Sequence, residues 1–132
     1  MIDRRLMTKT IEQLEKSSYG DPKDAPTPMV KRCLELCRVP LGRFTIEDLR
    51  LMIGQDFSLE YLIPIALEHL RQDLFTEGDC YPGDLLKAVV TVKPSFWLEN
   101  RSLHDELNIL FANRRNEIAE SKIDMSLFDA AL

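Results

Sequence analysis

The segment EGDCYPGDLL, residues 77–86, gathers side chains that could carry out chemistry. It offers three carboxylates, one thiol and one phenol: Glu77, Asp79, Asp84, Cys80 and Tyr81. Such groups can bind a metal ion, transfer a proton or attack a substrate when a fold brings them together. A small hydrolase that uses the three carboxylates is therefore one interpretation of this segment.

The same segment also has the features of a helix start. Proline suits the first position of a helix, so a helix is predicted to begin at Pro82. Asp84 would lie in its first turn, where a carboxylate beside free backbone N–H groups contributes roughly 0.3–1 kcal/mol. Gly83 has no side chain and lets another chain segment approach closely. Because no nucleophile context and no metal motif accompany the carboxylates, we interpret the segment as structural and expect no enzyme activity.

The cysteines and histidines do not form a metal motif either. Cys33 and Cys37 lie four residues apart, on one face of a predicted helix. A zinc site needs four ligands, and the other candidates, Cys80, His69 and His104, are not at metal-motif spacing. We expect buried packing for the first two cysteines and solvent-exposed positions for both histidines. No metal and no cofactor are predicted.

Composition indicates one soluble globular domain over residues 1–132. The chain is 45% hydrophobic and 30% charged, which is not typical of a disordered chain. Its formal net charge of −5 argues against a sequence-independent hold on nucleic acid, because that requires clustered Lys and Arg. The same charge is compatible with a basic protein partner.

Several features predict a cytoplasmic location. The N-terminal segment MIDRRLMTKTIEQ has no apolar stretch that would make it a signal peptide. The longest apolar run, YLIPIAL at residues 61–67, is too short to cross a membrane. Three cysteines, an odd number, do not suggest a secreted disulfide framework. Met7 could open the chain as well as Met1 does, so we interpret residues 1–6 as an optional extension.

Helical periodicity runs through nearly every segment of the chain. A first helix is predicted over residues 8–16 with Thr8 or Thr10 as its cap, and a second begins at Pro28 after Thr27. A third follows Thr45, with Asp48 close to a capping-box position and Gly54 as the stop. A fourth carries an apolar stripe with a 3.6-residue period: Leu59, Leu62, Ile63, Ala66, Leu67 and Leu70.

The remaining segments are less regular. Pro64 should kink the fourth helix or move its start toward residue 61, and Ser58 is an alternative cap. The fifth helix ends in AVVTV, which could form a short strand, and PSFWL is predicted to be a turn. A long helix follows from about Arg101, and residues 121–132 either dock as a final turn or fray. The predicted fold is all-α, a single compact domain of six or seven short helices.

Four motifs in a fixed order resemble one protein family. They are FTIEDLR at 44–50, MIGQ at 52–55, YLIPIALEHL at 61–70 and EGDCYPGDLL at 77–86, preceded by MTKTIEQLE at 7–15 and followed by FW at 96–97. This pattern, over residues 7–98, resembles the small helical immunity proteins of contact-dependent growth inhibition (CDI) systems of Gram-negative bacteria.

The resemblance implies an inhibitor that is not an enzyme. Such a protein binds the C-terminal toxin domain delivered by a neighbouring cell, often a nuclease, and blocks it in the cytoplasm. We expect a monomer that binds one toxin domain and neither nucleic acid nor membrane. An acidic surface suits a basic nuclease cleft, where carboxylates can stand in for phosphates. A regulatory adaptor that binds another helix in a groove remains the main alternative.

The resemblance also separates residues that hold the fold from residues that contact the toxin. The shared motifs are expected to hold the fold through Asp48, Gly54, Pro64, Pro82, Gly83, Asp84 and Trp97. The expected toxin contacts are exposed charged or aromatic positions beside those motifs. They are Glu47, Asp56, Glu60 and Tyr61 around the turn between the third and fourth helices, and Glu77 and Asp79 before the fifth.

Overall fold

The computed structural model describes residues 4–131 and is all-α, as predicted. This range contains ten α-helices and no β-strand, whereas the sequence predicts six or seven helices. The difference arises from short helices. The helices are α1 Arg4–Met7, α2 Ile11–Glu15, α3 Pro28–Leu36, α4 Ile46–Gly54, α5 Leu59–Gln72, α6 Asp84–Val90, α7 Pro94–Glu99, α8 Arg101–Ala112, α9 Arg115–Glu120 and α10 Ser126–Asp129. The optional extension proposed for residues 1–6 rests in part on residues 1–3, which lie outside the described range.

Three of the predicted helix starts are confirmed. The Thr10 hydroxyl accepts a hydrogen bond from the Gln13 N–H, and Thr27 caps α3, in which Pro28 is the first residue. Thr45 and Asp48 form a reciprocal capping box at α4. In such a box two otherwise unpaired backbone N–H groups are satisfied by side chains only three residues away. These starts depend on local contacts, which is why the sequence predicts them.

The end of α4 differs in detail from the prediction. Gly54 is the last helical residue, but the left-handed residue is Asp56, with φ of 60°. The Phe57 N–H donates to Met52 O at 2.9 Å and the Asp56 N–H to Ile53 O at 3.0 Å, which is a Schellman motif. Aspartate is one of the few non-glycine residues that tolerates this conformation. The chain therefore turns at Asp56.

The central helix α5 is continuous through its proline. It begins at Leu59, so Pro64 does not move its start to residue 61. Ser58 occupies the N-cap position in a left-handed conformation, with φ of 48°, and its hydroxyl makes no cap hydrogen bond. All six residues of the predicted apolar stripe are buried. This stripe gives α5 a buried face in the core, which also includes residues of α4, α6 and α8.

Two segments predicted to be irregular are helical. AVVTV continues α6 to Val90 and does not form a strand, because Val89 and Val90 face the core from a helix. PSFWL is not a turn but the body of α7, which starts at Pro94 and buries Phe96 and Trp97. In both segments burial of apolar side chains outweighs the weak local preference, which favours a strand in AVVTV and a turn in PSFWL.

The second half of the chain packs around Trp97. Its indole ring has edge contacts with Phe96, His104 and Phe128, and Trp97 is fully buried. The prediction of a solvent-exposed His104 is wrong: the residue is 2% exposed, and its Nε2 lies 2.8 Å from the Phe128 carbonyl oxygen. His69 is half-buried. Of the C-terminal residues, Phe128 and Ile123 are buried, so the described part of the tail docks on the domain.

Across residues 4–131, no helix combines the length and the apolar character needed to cross a membrane.

Candidate functional site

The loop before α6 is organised by the carboxylate of Asp84. This side chain accepts hydrogen bonds from the backbone N–H groups of Gly78 at 2.7 Å, Cys80 at 3.0 Å and Tyr81 at 3.4 Å. The helix begins at Asp84, not at Pro82, and Gly83 precedes it with φ of 89°. Asp84 therefore stabilises the loop upstream of its helix, and its charge is satisfied by donors of the chain itself.

A second carboxylate ties α4 to the same loop. Both oxygens of Glu47 accept hydrogen bonds from Arg50, at 2.7 and 2.5 Å, and Oε1 also accepts one from the Asp79 N–H at 2.9 Å. The hydrogen bond from Arg50, together with the one from the Asp79 backbone, holds the pKa of Glu47 below its usual value. The Arg50 guanidinium also lies 3.9 Å from the Asp84 carboxylate. Arg50 is thus the positive centre between two carboxylates.

Gly78 lies where these groups meet. A Cβ atom on this residue would lie 2.8 Å from Glu47 Oε1 and 3.0 Å from Asp84 Oδ2, so a side chain here would displace the carboxylates from their hydrogen bonds. Gly83 is similarly close to Phe75 and Ile123, each 3.2 Å from the position of a Cβ. The sequence analysis named Gly83 but missed Gly78, whose only signal was its place in the segment EGDCYPGDLL.

The oxygen and sulfur atoms of Glu47, Cys80 and Asp84 form a potential metal-ligand group. They lie within 4.8 Å of one another, and this is the one such group in the part of the chain that the structure describes. Both carboxylates, however, are already satisfied by Arg50 and by backbone N–H groups. A cation would have to compete with the guanidinium for the same oxygens. The arrangement favours a structural role over metal binding or catalysis.

The second predicted region lies at the turn between α4 and α5. Asp56 and Glu60 are exposed and Tyr61 is half-buried. Asp56 and Glu60 line a cleft of about 320 Å³ together with Lys93 and Glu99, which lie before and at the end of α7. Lys93 and Glu99 were not predicted from the sequence, because the position of α7 beside this turn leaves no periodic signal.

An aromatic group borders this cleft on the side of α2. The Ser58 hydroxyl, at the cleft, donates a hydrogen bond to Glu15 at 2.7 Å, and the Tyr19 hydroxyl donates to the same carboxylate at 2.6 Å. The Tyr19 ring has an edge contact with the Phe57 ring at 5.2 Å. The hydrogen bond to Glu15 raises the pKa of Tyr19, and burial raises the pKa of Tyr61. The sequence placed Tyr19 in a polar loop and gave it no role.

The predicted contact residues therefore fall into two groups. Glu47 and Asp79 are joined by a hydrogen bond, and Glu77 lies in the same loop, paired through its backbone with Pro82. Asp56, Glu60 and Tyr61 form the other group. The expected fold-holding residues Asp48, Gly83, Asp84 and Trp97 are buried, Pro64 is half-buried, and Gly54 and Pro82 are exposed.

Comparison with known proteins gives the family. A family model described as CDI immunity proteins matches residues 13–107. The chain belongs to this family. CDI immunity proteins are inhibitors and not enzymes, so the carboxylate-dependent hydrolase is set aside. The match extends from α2 into α8 and includes both groups of predicted contact residues. Searches of curated proteins and of solved structures found no significant match.

Proposed function

We propose that this protein is a cytoplasmic inhibitor that binds and neutralises the C-terminal toxin domain of its cognate CDI effector. The observation that carries the proposal is the match to CDI immunity proteins over residues 13–107. One monomer binds one toxin domain. The protein acts by occupying a surface of the toxin. Of the carboxylates near EGDCYPGDLL, those of Glu47 and Asp84 are engaged within the fold.

The toxin activity that fits this chain best is that of a nuclease. Nucleases bind phosphates through basic clefts, and the chain has a formal net charge of −5. Carboxylates on the inhibitor can take the place of the phosphates and accelerate the encounter of the two proteins.

Of the six residues singled out in the sequence, five are proposed as toxin contacts, and Glu47 supports them. Asp56, Glu60, Glu77 and Asp79 are exposed, and none of their carboxylates is paired with another side chain among residues 4–131. Tyr61 adds a half-buried aromatic ring beside Glu60. Glu47 is engaged by Arg50 and by the Asp79 N–H, so it contributes by holding the loop that carries Glu77 and Asp79.

A complex-formation experiment tests the proposal. The protein is mixed with the toxin domain encoded by the adjacent effector gene, and binding is measured by calorimetry and by light scattering after size-exclusion chromatography. We expect a one-to-one complex, loss of nucleic-acid cleavage by the toxin domain, and protection of cells that express both proteins. If the purified toxin domain neither binds nor loses activity, the proposal is wrong.

A further inference from the structure

The cleft between the α4–α5 turn and α7 carries charge that the fold does not use. Three carboxylates and one ammonium group line it: Asp56, Glu60, Glu99 and Lys93. None of these four side chains makes an ion pair or a hydrogen bond with another residue in the range 4–131. The cleft therefore has a formal charge of −2, from three carboxylates and one lysine.

Several other carboxylates of the chain have partners within the fold. Glu47, for example, is paired with Arg50, Asp48 with Arg32, and Glu12 with Arg38. Those pairs join one element of the fold to another or stabilise a single helix. The cleft carboxylates have no such partner. They differ from the unpaired Asp105 and Glu120 because they line one concave surface together.

The dimensions of the cleft select its occupant. Its volume of about 320 Å³ is large enough for one long side chain, and its lining is mostly polar, unlike the mainly apolar sites that bind small molecules. No three acidic oxygens of the cleft come as close as metal ligation requires, because within residues 4–131 the one such group is Glu47, Cys80 and Asp84. An extended cation fits the cleft better than a compact ion.

An aromatic surface adjoins the cleft through Ser58. Tyr19 is 49% exposed, contacts the ring of Phe57, and shares Glu15 with the Ser58 hydroxyl. Rigid aromatic side chains of this kind supply much of the binding energy at protein interfaces. A partner side chain in the cleft would place its own backbone over this surface.

We propose that the cleft receives one arginine side chain of the toxin domain, a step that rests on the function proposed above. Arginine is favoured over lysine because its planar guanidinium can bind two carboxylates at once, and the cleft offers carboxylates from two helices, Glu60 on α5 and Glu99 on α7. Lys93 reduces the negative charge of the empty cleft. It also repels any cation that cannot contact Glu60 and Glu99 at the same time.

The test uses the wild-type protein, a cleft variant and a control variant of equal charge. The cleft variant is Glu60→Gln with Glu99→Gln. The control is Asp105→Asn with Glu120→Gln, two exposed carboxylates on α8 and α9 that are unpaired among the described residues. Binding of the adjacent-gene toxin domain is measured by calorimetry at physiological salt. We expect roughly 30-fold weaker binding or more for the cleft variant, as for a central charge pair, and a change below about threefold for the control.

Two further measurements separate the arginine from general electrostatics. Each arginine of the toxin domain is changed to glutamine and combined with Glu60→Gln in a double-mutant cycle, which should show strong coupling to one arginine only. Lys93→Gln should tighten binding by about two- to fivefold, since it removes a competing positive charge.

The outcomes distinguish the cleft from the function. The cleft proposal fails, and the inhibitor function stands, if the wild-type protein binds the toxin domain and the cleft variant binds equally well. The same holds if the cleft variant loses no more affinity than the control variant does. Coupling to a lysine, or to no single residue, also rejects the arginine. If the wild-type protein does not bind, both proposals fall.

Discussion

The ring of Phe128 stacks on the ring of His104, with the centroids 4.1 Å apart and the planes inclined by 18°. The same phenyl ring has edge contacts with Trp97 and Phe111. The family match ends at residue 107, so this contact joins the matched region to a segment beyond it. The Trp97 indole Nε1 is buried without a hydrogen-bond partner among the described residues, so packing alone holds the ring in place.

Phe128→Ala should therefore destabilise the whole domain. Removing a fully buried phenylalanine costs about 3–5 kcal/mol through lost transfer energy and the cavity left behind. Leu127→Ala is the matched control, because Leu127 is 43% exposed and its truncation should change stability by about 0.5 kcal/mol or less. Urea titration followed by circular dichroism measures both. Equal, small losses for the two variants would show that the C-terminal helix does not belong to the core.

The contrast between these contacts and the helix caps shows what the sequence could predict. The pairing of Thr45 with Asp48 spans three residues, so residue type and spacing were sufficient. His104 and Phe128 are 24 residues apart, and their contact depends on how α8 and the tail meet. A histidine on a helix that otherwise looked charged was therefore assigned to solvent. The same dependence on tertiary contacts explains why the described residues form ten helices and the sequence predicts six or seven, because short helices are stabilised by packing.

The candidate site was predicted in part for the same reason. Asp84 was correctly placed in the first turn of a helix, but its partners are N–H groups of the preceding loop. The contact of Glu47 with Asp79 spans 32 residues, and the cleft requires α7 to meet the α4–α5 turn. The polarity of Asp56 and Glu60 predicts that they are exposed. Lys93, Glu99 and Tyr19 lie at or beside the same cleft only because of the tertiary fold.

Asp84→Ala should be among the most disruptive single changes in the chain. It leaves the N–H groups of the 78–81 loop without their acceptor and leaves Arg50 with one carboxylate partner fewer. Removal of one partner from a buried charged network typically costs about 3–5 kcal/mol. Asp79→Ala is the control. The Asp79 side chain is exposed and has no partner among the described residues, so its removal should cost less than about 0.5 kcal/mol.

Asp84→Asn separates charge from shape at this position. The amide keeps one acceptor oxygen but points an NH₂ group at backbone donors, so we expect a substantial loss that the similar size does not prevent. Chemical denaturation measures all three variants. If Asp84→Ala proved as stable as Asp79→Ala, the carboxylate would not organise the loop.

Glu47 should make stability depend on pH in the acidic range. Its hydrogen bonds from Arg50 and from the Asp79 N–H lower its pKa in the folded state. The stabilisation is therefore complete above the unfolded pKa of about 4.3 and is lost as the pH falls through the lower folded value. Glu47→Gln removes this contribution, so wild type and variant should differ most at neutral pH and converge below about pH 4.

Glu77→Gln is the control for this titration. Glu77 is exposed, lies in the same connected loop, and has no side-chain partner in the described range. At neutral pH its variant should match the wild-type stability to within about 0.5 kcal/mol. Thermal unfolding between pH 3 and pH 8 measures the difference, and a gap between wild type and Glu47→Gln that widened toward low pH would contradict the assigned sign.

The three cysteines should react with thiol reagents at very different rates. Cys80 is exposed, whereas Cys33 on α3 and Cys37 at the C-terminal end of α3 are buried. Burial raises the pKa of both thiols, that of Cys37 to about 11. The thiolate is the reactive form, so the two buried thiols are protected both because reagents do not reach them and because they stay protonated.

We expect one fast label per molecule at pH 8, located at Cys80 by mass spectrometry, and three after denaturation. Cys80→Ser should abolish the fast phase without changing stability by more than about 0.5 kcal/mol. Fast labelling of Cys33 or Cys37 in the native protein would show that the contact of α3 with the core opens readily.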